Sequence, residues 1–487
     1  MAHFRYRSWR IFDQTFTKKS FYARVSCVKK EYSLDDNTRA LGKIFSSHGW
    51  QLYLVGGAVR DYILGIPNDD YDYATDASPD EVMAMFPHQC IPTGLQHGTV
   101  TVRFRKQSYE VTTFRSEGDY SDGRHPDSVK FVRSLESDLE RRDFTINAFA
   151  ASCTDGHIID MHGGYADLEN HTIRAIGNPH ERFGEDALRM IRACRFASKL
   201  GFSIEDETFN AIKEKAGTIL KVSQERIKDE LFKIIGGPLP VTGIELMRKT
   251  GLLHYILPEL ERCIGVEQAG FHTLDVYSHT LRALEHAARQ GFTLYVRLAV
   301  LFHDIAKPEC RRENGEEGRR YTFFGHDREG ALMTEKIMKR LKCSNKETET
   351  VSHLVAEHMF NYSPSWTDGA LRRFIRRTGE DNLEMLFEVR ECDQSAIDNL
   401  DPSLDTLSQL KERVRAELEK KNALTIKDLA VGGNDLMRLG VKKGPAIGRT
   451  LSYLLDAVLE DPSLNEKETL SRMALSAQDS LSHTEEE

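Results

Sequence analysis

The pattern of apolar and polar residues divides the chain into a short strand-rich part and a long helical part. Apolar and polar residues alternate in 98–104 and 108–114, which predicts two strands joined by a turn at Lys106-Gln107. After residue 160 this alternation becomes scarce, and from about Glu181 the apolar spacing is that of amphipathic helices. The pattern predicts an α+β protein.

One stretch near the start, residues 52–75, has features of an anion-binding turn. Residues 52–55 are an apolar run that predicts a buried strand, Gly56-Gly57 interrupts it, and residues 58–64 have helical character. A strand, a glycine turn and a helix N-terminus bring backbone N–H groups close to a bound anion. Arg60 could add a guanidinium fork for phosphate oxygens.

An acidic pair follows this turn. Asp70 and Asp72 alternate with Tyr71 and Tyr73, so on a strand both carboxylates would point to one face. Two such carboxylates repel unless a cation lies between them, and Mg²⁺ takes hard oxygen ligands together with substrate phosphates. The pair predicts metal-assisted nucleotidyl transfer, although a surface hairpin with chance acids is an alternative. Glu110 could be a third carboxylate or could face solvent.

A charged helix is predicted over residues 185–196. Asp186, Arg189, Arg192 and Arg195 fall at steps of three and would share a face. A salt-bridged surface helix is the simpler interpretation. However, cytosine and adenine both present an exocyclic amine beside a ring acceptor, so a carboxylate and a guanidinium one turn apart could select these two bases together.

These motifs resemble those of the tRNA nucleotidyltransferase/poly(A) polymerase family, the class that includes bacterial CCA-adding enzymes. The resemblance covers most of residues 50–460 and rests on GGAVRD with DYD, on RRDFTINA at 141–148 and on the EDALR segment at 185–189. It implies a small nucleotidyltransferase α/β palm followed by an all-helical neck, body and tail. It also implies that Asp70 and Asp72 are catalytic metal ligands. The implied nucleotide-binding residues are Gly57, Arg60, Arg142, Asp186, Arg189, Arg192 and Arg195.

The implied activity is the addition of C, C and A to a tRNA 3′ end from CTP and ATP, with Mg²⁺ and without a nucleic-acid template. A bacterial poly(A) polymerase is the nearest rival, but Gln96-His97-Gly98-Thr99 and GEDALR are more similar to the CCA branch. The polar stretch 116–129 predicts a mobile loop, which family members that build a full CCA end also have. Whether this chain adds all of CCA stays open.

A second set of residues, in the helical region, resembles the HD superfamily of metal-dependent phosphohydrolases. The matching residues are His279, His303, Asp304, His326, His358 and Asp393. Each histidine alone is more often a core residue or a helix cap, but the ordered set predicts an HD-type fold. A second divalent metal here, with hydrolysis of a phosphoester such as a cyclic phosphate on a damaged RNA end, is left open. A phosphohydrolase whose nucleotidyltransferase-like half only binds RNA is therefore a further rival.

The predicted organisation has five parts. These are a basic, disordered arm at 1–34, the palm at 35–150, a helical neck and body for nucleotide selection and RNA binding at 151–265, the HD-type domain at 270–400 and a tRNA-binding tail at 401–487. Two further features suggest RNA contacts. The first is the tail's glycine-punctuated helices with Lys442 and Lys443, and the second is a patch of arginines at helical spacing: Arg372, Arg373, Arg376 and Arg377.

Composition limits the setting of the protein. The chain has 487 residues and a net charge of −9, so any RNA site must be a local basic surface. Its eight cysteines include no C-x-x-C pair, which favours reduced thiols and a cytoplasmic location. No apolar run approaches the ~20 residues of a membrane span. The basic first 30 residues leave organelle targeting as an alternative, and the oligomeric state is not predicted.

Overall fold

A computed structural model of the protein describes residues 29–95, 98–117, 129–268, 273–313, 321–397 and 406–481. The predicted basic arm up to residue 28, Gln96-His97 and most of the predicted loop at 116–129 lie outside these residues. Contacts between Cα atoms divide the chain into two compact units. One comprises the residues up to 234 with 242–256, and the other comprises 235–241 with 257–487. None of the described helices combines the length and apolarity that a membrane crossing requires.

The first unit contains a seven-stranded sheet with the strand order β3-β4-β5-β2-β1-β8-β9. Its strands are β1 (Leu52–Val55), β2 (Asp72–Thr75), β3 (Cys90–Gly94), β4 (Thr99–Phe104), β5 (Gln107–Thr113), β8 (Phe149–Ser152) and β9 (Ile158–Asp160). β2 and β5 are parallel, and the other neighbours are antiparallel. The predicted palm boundary at residue 150 is therefore wrong in detail, because it cuts through β8 and leaves β9 outside.

Six short strands form three further pairs. They are β6 (Arg115–Glu117) with β7 (Val129–Phe131), β10 (Thr172–Ile173) with β11 (Ser203–Ile204), and β12 (Arg312–Glu313) with β13 (Tyr321–Thr322).

The helices of the first unit are α1 (Asp36–Ser47), α2 (Gly57–Ile63), α3 (Pro79–Met85), α4 (Leu135–Glu140), α5 (Gly164–Glu169), α6 (Pro179–Glu185), α7 (Leu188–Leu200), α8 (Asp206–Lys215), α9 (Gln224–Ile235), α10 (Pro240–Lys249) and α11 (Leu252–Ile256). α9 and α10 extend one or two residues across the division into units.

Helices dominate the described residues of the second unit. They are α12 (Pro258–Glu261), α13 (Val276–Arg289), α14 (Leu294–Phe302), α15 (Lys307–Cys310), α16 (His326–Arg340), α17 (Asn345–Glu357), α18 (Asp368–Thr378), α19 (Leu383–Ser395), α20 (Thr406–Glu419), α21 (Gly433–Arg438), α22 (Pro445–Glu460) and α23 (Lys467–Leu481). The predicted change from strands to helices is confirmed.

Local sequence explains the elements around β2. Asp35 caps α1 by accepting from the backbone N–H groups of Asn37 and Thr38 at 2.8 and 3.0 Å. The Thr38 hydroxyl lies 2.7 Å from that of Tyr73, whose ring is buried beneath α1. The alternating strands β4 and β5 are confirmed, but their turn is Arg105-Lys106, one residue earlier than predicted. Both turn residues have positive φ (48° and 68°), as a tight two-residue hairpin requires.

The arginine patch on α18 differs from its prediction. Arg372 is buried against Glu417 at 2.9 Å, and it donates to the last carbonyls of α22. The other three arginines pair with acids of the same unit: Arg373 with Glu460, Arg376 with Asp456 and Arg377 with Glu357. Neighbouring acids offset this patch, so it is not a strong cationic surface for RNA.

A substitution at Gly42 tests the packing of α1 on the sheet. A Cβ added at Gly42 would lie 2.3 Å from the backbone oxygen of Cys153, which cannot move without disturbing β8. We expect Gly42→Ala to lower the free energy of unfolding by roughly 1–3 kcal/mol. The matched helical control is Gly448→Ala, where a Cβ meets no atom within 4 Å. It should be neutral or raise stability by up to about 1 kcal/mol in denaturant titrations.

Candidate active site and a buried histidine cluster

Asp72 is the first residue of β2 and lies between two neighbouring strands. Its register partners are Val55 on β1 and Glu110 on β5. Register partners in a sheet point to the same face, so the Glu110 side chain lies on the face of Asp72. Asp70 precedes the strand, where Asn68 holds its backbone in a turn. The prediction that both aspartates belong to one strand is therefore wrong for Asp70.

The three carboxylates act on one another electrostatically. Although the Asp72 side chain reaches solvent, the surrounding protein removes enough water to raise its pKa. Asp70 and Glu110 raise this pKa further, and Arg142 opposes them. Hard carboxylate oxygens that destabilise one another's charge are suitable ligands for Mg²⁺. The donor set fits the predicted ion.

Arg142 passes close to the glycine turn. Gly56 has a φ of +72°, and a Cβ placed on it would lie 3.0 Å from Nη1 of Arg142. Arg142 also forms an ion pair with Asp138 at 3.3 Å, and its charge lowers the pKa of Asp72. α2 begins at Gly57, directly after this turn. The structure thus brings the turn, Arg142 and the acidic residues into one neighbourhood.

Arg60 does not extend towards solvent as predicted. It is 2% exposed, and its guanidinium donates to Asp61 at 2.8 Å and to the side-chain oxygen of Asn147. Asn147 in turn donates to Asp143 at 3.0 Å. Arg60 therefore supports the 141–148 segment from within the protein instead of presenting a free fork to a phosphate.

Arg192 and Arg195 also form ion pairs, in each case with a buried acidic residue. Arg192 contacts Asp143 at 2.6 Å, and Arg195 contacts Glu230 on α9 at 2.5 Å. Burial alone would raise the pKa of Asp143, but Arg192 and the amide of Asn147 lower it to about 2. These contacts tie α7 to the 141–148 segment and to α9. Sequence reasoning missed Asp143 and Glu230.

Asp186 precedes α7, since the helix begins at Leu188 and not at residue 185 as predicted. Its Oδ1 accepts from the Leu188 backbone at 3.0 Å. Arg226 on α9 donates hydrogen bonds to both oxygens, at 2.7 Å to Oδ2 and 3.3 Å to Oδ1. Such a two-pronged contact fixes the plane of a carboxylate. Sequence reasoning did not identify Arg226, and the charged helical pattern of residues 223–231 was the only signal available for it.

Arg189 is fixed as firmly as Asp186. It is 7% exposed and pairs with Glu185. Its guanidinium also donates to the carbonyl oxygens of Arg182 at 3.1 Å and Arg141 at 2.9 Å. Asp186 and Arg189 lie one turn apart, each held by groups from other segments. The structure therefore holds each of the two predicted base-selecting residues in a fixed position.

The six predicted HD-type residues form one cluster in the second unit. Asp304 lies at its centre, with Oδ2 3.2 Å from Nε2 of His303 and 3.8 Å from that of His279. Its Oδ1 lies 3.4 Å from Nε2 of His326 and 3.9 Å from that of His358. All five residues are buried.

Asp393 on α19 completes the cluster. Its Oδ1 lies 3.1 Å from Nε2 of His279 and 3.7 Å from that of His303. The six side chains form two groups in which all potential ligand atoms lie within 4.8 Å of one another. The groups are His279, His303 and Asp393, and Asp304, His326 and His358.

The imidazoles are oriented as metal ligands require. The Nδ1 atoms of His303, His326 and His358 each lie 2.7 Å from the backbone carbonyl three residues earlier, so each can donate its N–H there. The Nε2 atoms face the cluster, are buried and have no hydrogen-bond partner among the described residues. A backbone bond at Nδ1 that leaves an Nε2 lone pair is the usual support for a ligating histidine.

The cluster also needs positive charge at its centre. Burial opposes protonation of His303, yet Asp304 and Asp393 raise its pKa to about 10. Burial and the neighbouring His303 lower the pKa of His358 to about 3. Lys307 contacts Asp304 at 2.6 Å. Two carboxylates thus favour positive charge in the protein interior. Divalent cations fit this donor set of imidazoles and carboxylates.

Comparison with known families agrees with this architecture. Residues 52–174 match the family described as "Poly A polymerase head domain". Residues 201–264 match "Probable RNA and SrmB- binding site of polymerase A", and residues 327–474 match a tRNA nucleotidyltransferase domain 2.

Similar proteins cover nearly the whole chain. A CCA-adding enzyme of Levilactobacillus brevis is 37% identical over 87% of this chain and 93% of its own length. One of Enterococcus faecalis is 36% identical over 87% of this chain and 92% of its own length. One of Geobacillus thermodenitrificans reaches 50% identity over 220 residues, which are 45% of this chain and 54% of that enzyme.

Solved structures extend the similarity to the fold. The Bacillus stearothermophilus CCA-adding enzyme in complex with CTP has a TM-score of 0.69 at 31% identity, over 92% of this chain and 98% of that one. A Thermotoga maritima CCA-adding enzyme complexed with tRNA has a TM-score of 0.51 at 20% identity, over 91% and 94%, which shows the fold alone. The chain therefore belongs to the CCA-adding enzymes, a family of nucleotidyltransferases with a mixed-sheet head and a largely helical body.

Proposed function

We propose that this chain adds C, C and A to the 3′ end of tRNA from CTP and ATP, with Asp70, Asp72 and Glu110 holding Mg²⁺. The observation that carries the proposal is the convergence of these three carboxylates beside Arg142 and the Gly56-Gly57 turn. The full-length similarity to CCA-adding enzymes favours this reading over a poly(A) polymerase on the same fold. A cytoplasmic location stays a prediction.

In the proposed reaction the tRNA 3′-hydroxyl oxygen bonds to the α-phosphorus of the incoming nucleotide. The bond between that phosphorus and the β-bridging oxygen breaks, pyrophosphate leaves, and the hydroxyl proton passes to solvent. Mg²⁺ bound by the carboxylates would supply Lewis acidity that favours the ionised hydroxyl and offsets the charge of the leaving group. Arg142 and the backbone at Gly57 would hold the triphosphate.

Base selection is assigned to Asp186 and Arg189. The carboxylate would accept from the exocyclic amine of cytosine or adenine, and the guanidinium would donate to the adjacent ring nitrogen. Uracil and guanine present the opposite pattern, so they would leave a donor or acceptor unpaired at this pair. The rigid supports of both residues favour this role, because selection by hydrogen bonding needs fixed partners.

Substitution of the carboxylates tests the metal site. We expect Asp72→Asn to lower kcat/KM for nucleotide addition by about 1,000-fold or more, since it removes stabilisation of charge that develops in the transition state. Glu110→Gln should lose about tenfold or more if Glu110 is a ligand. Product length is measured on tRNA lacking its CCA end, with CTP, ATP and Mg²⁺.

The neighbouring Asp69→Asn is the control for this experiment, because Asp69 is exposed and lies outside the proposed ligand set. It should keep activity within about twofold. Asp72→Asn should also keep or raise the melting temperature, since a carboxylate with a raised pKa destabilises the folded state when ionised. Full activity of Asp72→Asn, or an equal loss in Asp69→Asn, would contradict the assignment.

The Arg226–Asp186 contact gives a selectivity prediction. Arg226→Ala frees the Asp186 carboxylate to rotate, so the preference for CTP over UTP in kcat/KM should fall about tenfold. Arg226→Lys keeps the charge without the bidentate geometry, so its preference for CTP over UTP should lie between that of the wild type and that of Arg226→Ala. Arg248→Ala removes an ion pair with Glu245 in the same unit and serves as the control. A lower rate with an unchanged CTP-to-UTP preference would reduce Arg226 to a structural role.

A second activity is supported by the buried histidine cluster. We propose that its two groups hold divalent metal ions and that this centre hydrolyses phosphate esters. Water oxygen would bond to phosphorus, the ester P–O bond would break, and the released alcohol would take up a proton from the water. The bound metal would supply polarisation of the phosphate and a more acidic water. The observation that carries this proposal is that the buried Nε2 atoms of His303, His326 and His358 have no hydrogen-bond partner among the described residues.

Metal content tests the cluster without an activity assay. The purified protein should bind up to two Mn²⁺ ions per chain, and Asp304→Asn should lose both because Asp304 faces both groups. His326→Ala should lose one ion. His353→Gln is the control, since His353 on α17 contacts the Thr378 carbonyl at 2.8 Å instead of the cluster. Equal Mn²⁺ stoichiometry by elemental analysis in all four proteins would rule the cluster out as a metal centre.

A further inference from the structure

One buried carboxylate connects several parts of the proposed nucleotide site. Asp138 lies on α4 and is 1% exposed, so its charge depends on protein groups for stabilisation. Burial alone would raise the pKa of Asp138, but Arg141 and Arg142 lower it below its usual value, which keeps the carboxylate ionised. A buried, ionised carboxylate can hold cationic side chains in place without contacting a substrate itself.

One oxygen of Asp138 holds the arginine that lies beside the glycine turn. Nη2 of Arg142 donates to Oδ2 of Asp138 at 3.3 Å. Nη1, at the other corner of the same guanidinium, would lie 3.0 Å from a Cβ placed on Gly56. The Nε atom of Arg142 is buried and has no hydrogen-bond partner among the described residues. Asp138 thus fixes one side of a guanidinium that keeps an unpaired donor, as expected of an arginine that receives an anionic ligand.

The other oxygen holds a residue on which Arg189 depends. Oδ1 of Asp138 accepts from Nε and Nη2 of Arg141 at 3.0 and 2.8 Å. The carbonyl oxygen of Arg141 in turn accepts from Nη2 of Arg189 at 2.9 Å. Because Arg141 is the C-terminal cap of α4, its side-chain contact with Asp138 also restrains the direction of this carbonyl. Only Arg141 therefore stands between Asp138 and the proposed base-selecting guanidinium.

The same oxygen also contacts the sheet side of the site. The backbone N–H of Arg115, the first residue of β6, donates to Oδ1 of Asp138 at 3.3 Å. The preceding residue, Phe114, donates its backbone N–H to the carbonyl of Thr75 at the end of β2 at 2.7 Å. β2 begins with Asp72. Asp138 thus lies where the chain that follows β5 meets the 141–148 segment.

We propose that Asp138 is a positioning residue for nucleotide addition, with a separate task for each of its oxygens. Oδ2 aligns Arg142 with the triphosphate. Oδ1 aligns the Arg141 carbonyl that holds Arg189 for base selection. This inference rests on the nucleotide-addition function proposed above and adds a residue outside the predicted site. Loss of the Oδ2 contact alone should weaken the binding of every nucleotide, whereas loss of both oxygens should also change the choice of base.

The first test compares Asp138→Asn with Asp138→Ala in the extension of tRNA that lacks its CCA end. An asparagine keeps one acceptor oxygen for the donors of Arg141 and Arg115 and turns its amide towards Arg142. We expect Asp138→Asn to raise KM for CTP and UTP about tenfold and to keep the preference for CTP in kcat/KM within about twofold. Asp138→Ala should raise KM as much and also lower that preference about tenfold.

The control for this comparison is Asp35→Ala. Asp35 caps α1 in the same unit, and α1 covers Tyr73, which faces away from Asp72. The substitution should lower the melting temperature but keep KM and the preference for CTP within about twofold of wild type. An equal rise of KM in Asp35→Ala would assign the effect to lost stability and overturn the inference. Wild-type KM and preference in Asp138→Ala would overturn it as well.

The second test asks whether Asp138 acts through Arg142. CTP is titrated calorimetrically with Mg²⁺ and without tRNA, so no turnover takes place. Asp138→Asn and Arg142→Ala should each weaken CTP binding about tenfold. In the double variant, Asp138→Asn should change Kd by less than about twofold beyond Arg142→Ala, because the group it positions is already absent. A Kd that reflects the product of the two single effects would show independent, structural roles and overturn the inference.

The outcomes separate this inference from the function on which it rests. Absence of tRNA extension by the wild-type protein would refute nucleotide addition, while the CTP titrations would still decide whether Asp138 acts through Arg142. Extension by the wild type with independent effects of the two substitutions would overturn only the role of Asp138. If Asp138→Ala does not fold, the nearly isosteric Asp138→Asn decides the inference through the titrations.

Discussion

Burial of Tyr73 fixes which face of the sheet carries the Asp72 carboxylate. Its ring lies under α1 with its hydroxyl against Thr38, and Tyr109 of β5 packs against its edge. Because side chains alternate along a strand, Asp72 must then point to the opposite face, where Glu110 is its register partner. A slip of one residue would bury the carboxylate and expose the ring. The apolar packing of the palm thus enforces a charge arrangement that is unfavourable by itself.

The arginines around the site show how the remaining charges are organised. Arg60, Arg192 and Arg195 are directed into the protein, where they tie the 141–148 segment, α7 and α9 together. Each buried guanidinium has an acidic or amide partner, as burial of charge demands. Among the predicted nucleotide-binding arginines, Arg142 alone lies beside both the glycine turn and Asp72. Of these four arginines, Arg142 is therefore suited to contact a substrate, and the other three hold the surrounding segments together.

The sequence predicted the secondary-structure elements better than it predicted which side chains contact one another. Alternation of apolar and polar residues located β4 and β5 to within a residue, because strand period is a local property. The hydrogen-bond partner of a guanidinium can be far away in the sequence. Arg226 contacts Asp186, 40 residues earlier, and Arg60 contacts Asn147, 87 residues later. The arginines of α18 illustrate the same limit, since spacing showed their common face but not the acids opposite. The ordered His and Asp residues were found only through resemblance to a family.

The two acidic centres meet the need for a cation in different ways. The Asp70, Asp72 and Glu110 group reaches solvent, and partial burial together with repulsion from the other two carboxylates raises the pKa of Asp72. An open site of this kind can admit a triphosphate together with its metal and release the pyrophosphate after each addition. The histidine cluster is buried, and it balances Asp304 and Asp393 with its own groups, because Lys307 contacts Asp304 and the two carboxylates raise the pKa of His303. A metal bound at the proposed cluster site would have to compete with these internal positive charges. The palm group, in contrast, leaves its negative charge open to the ion and nucleotide of the proposed reaction.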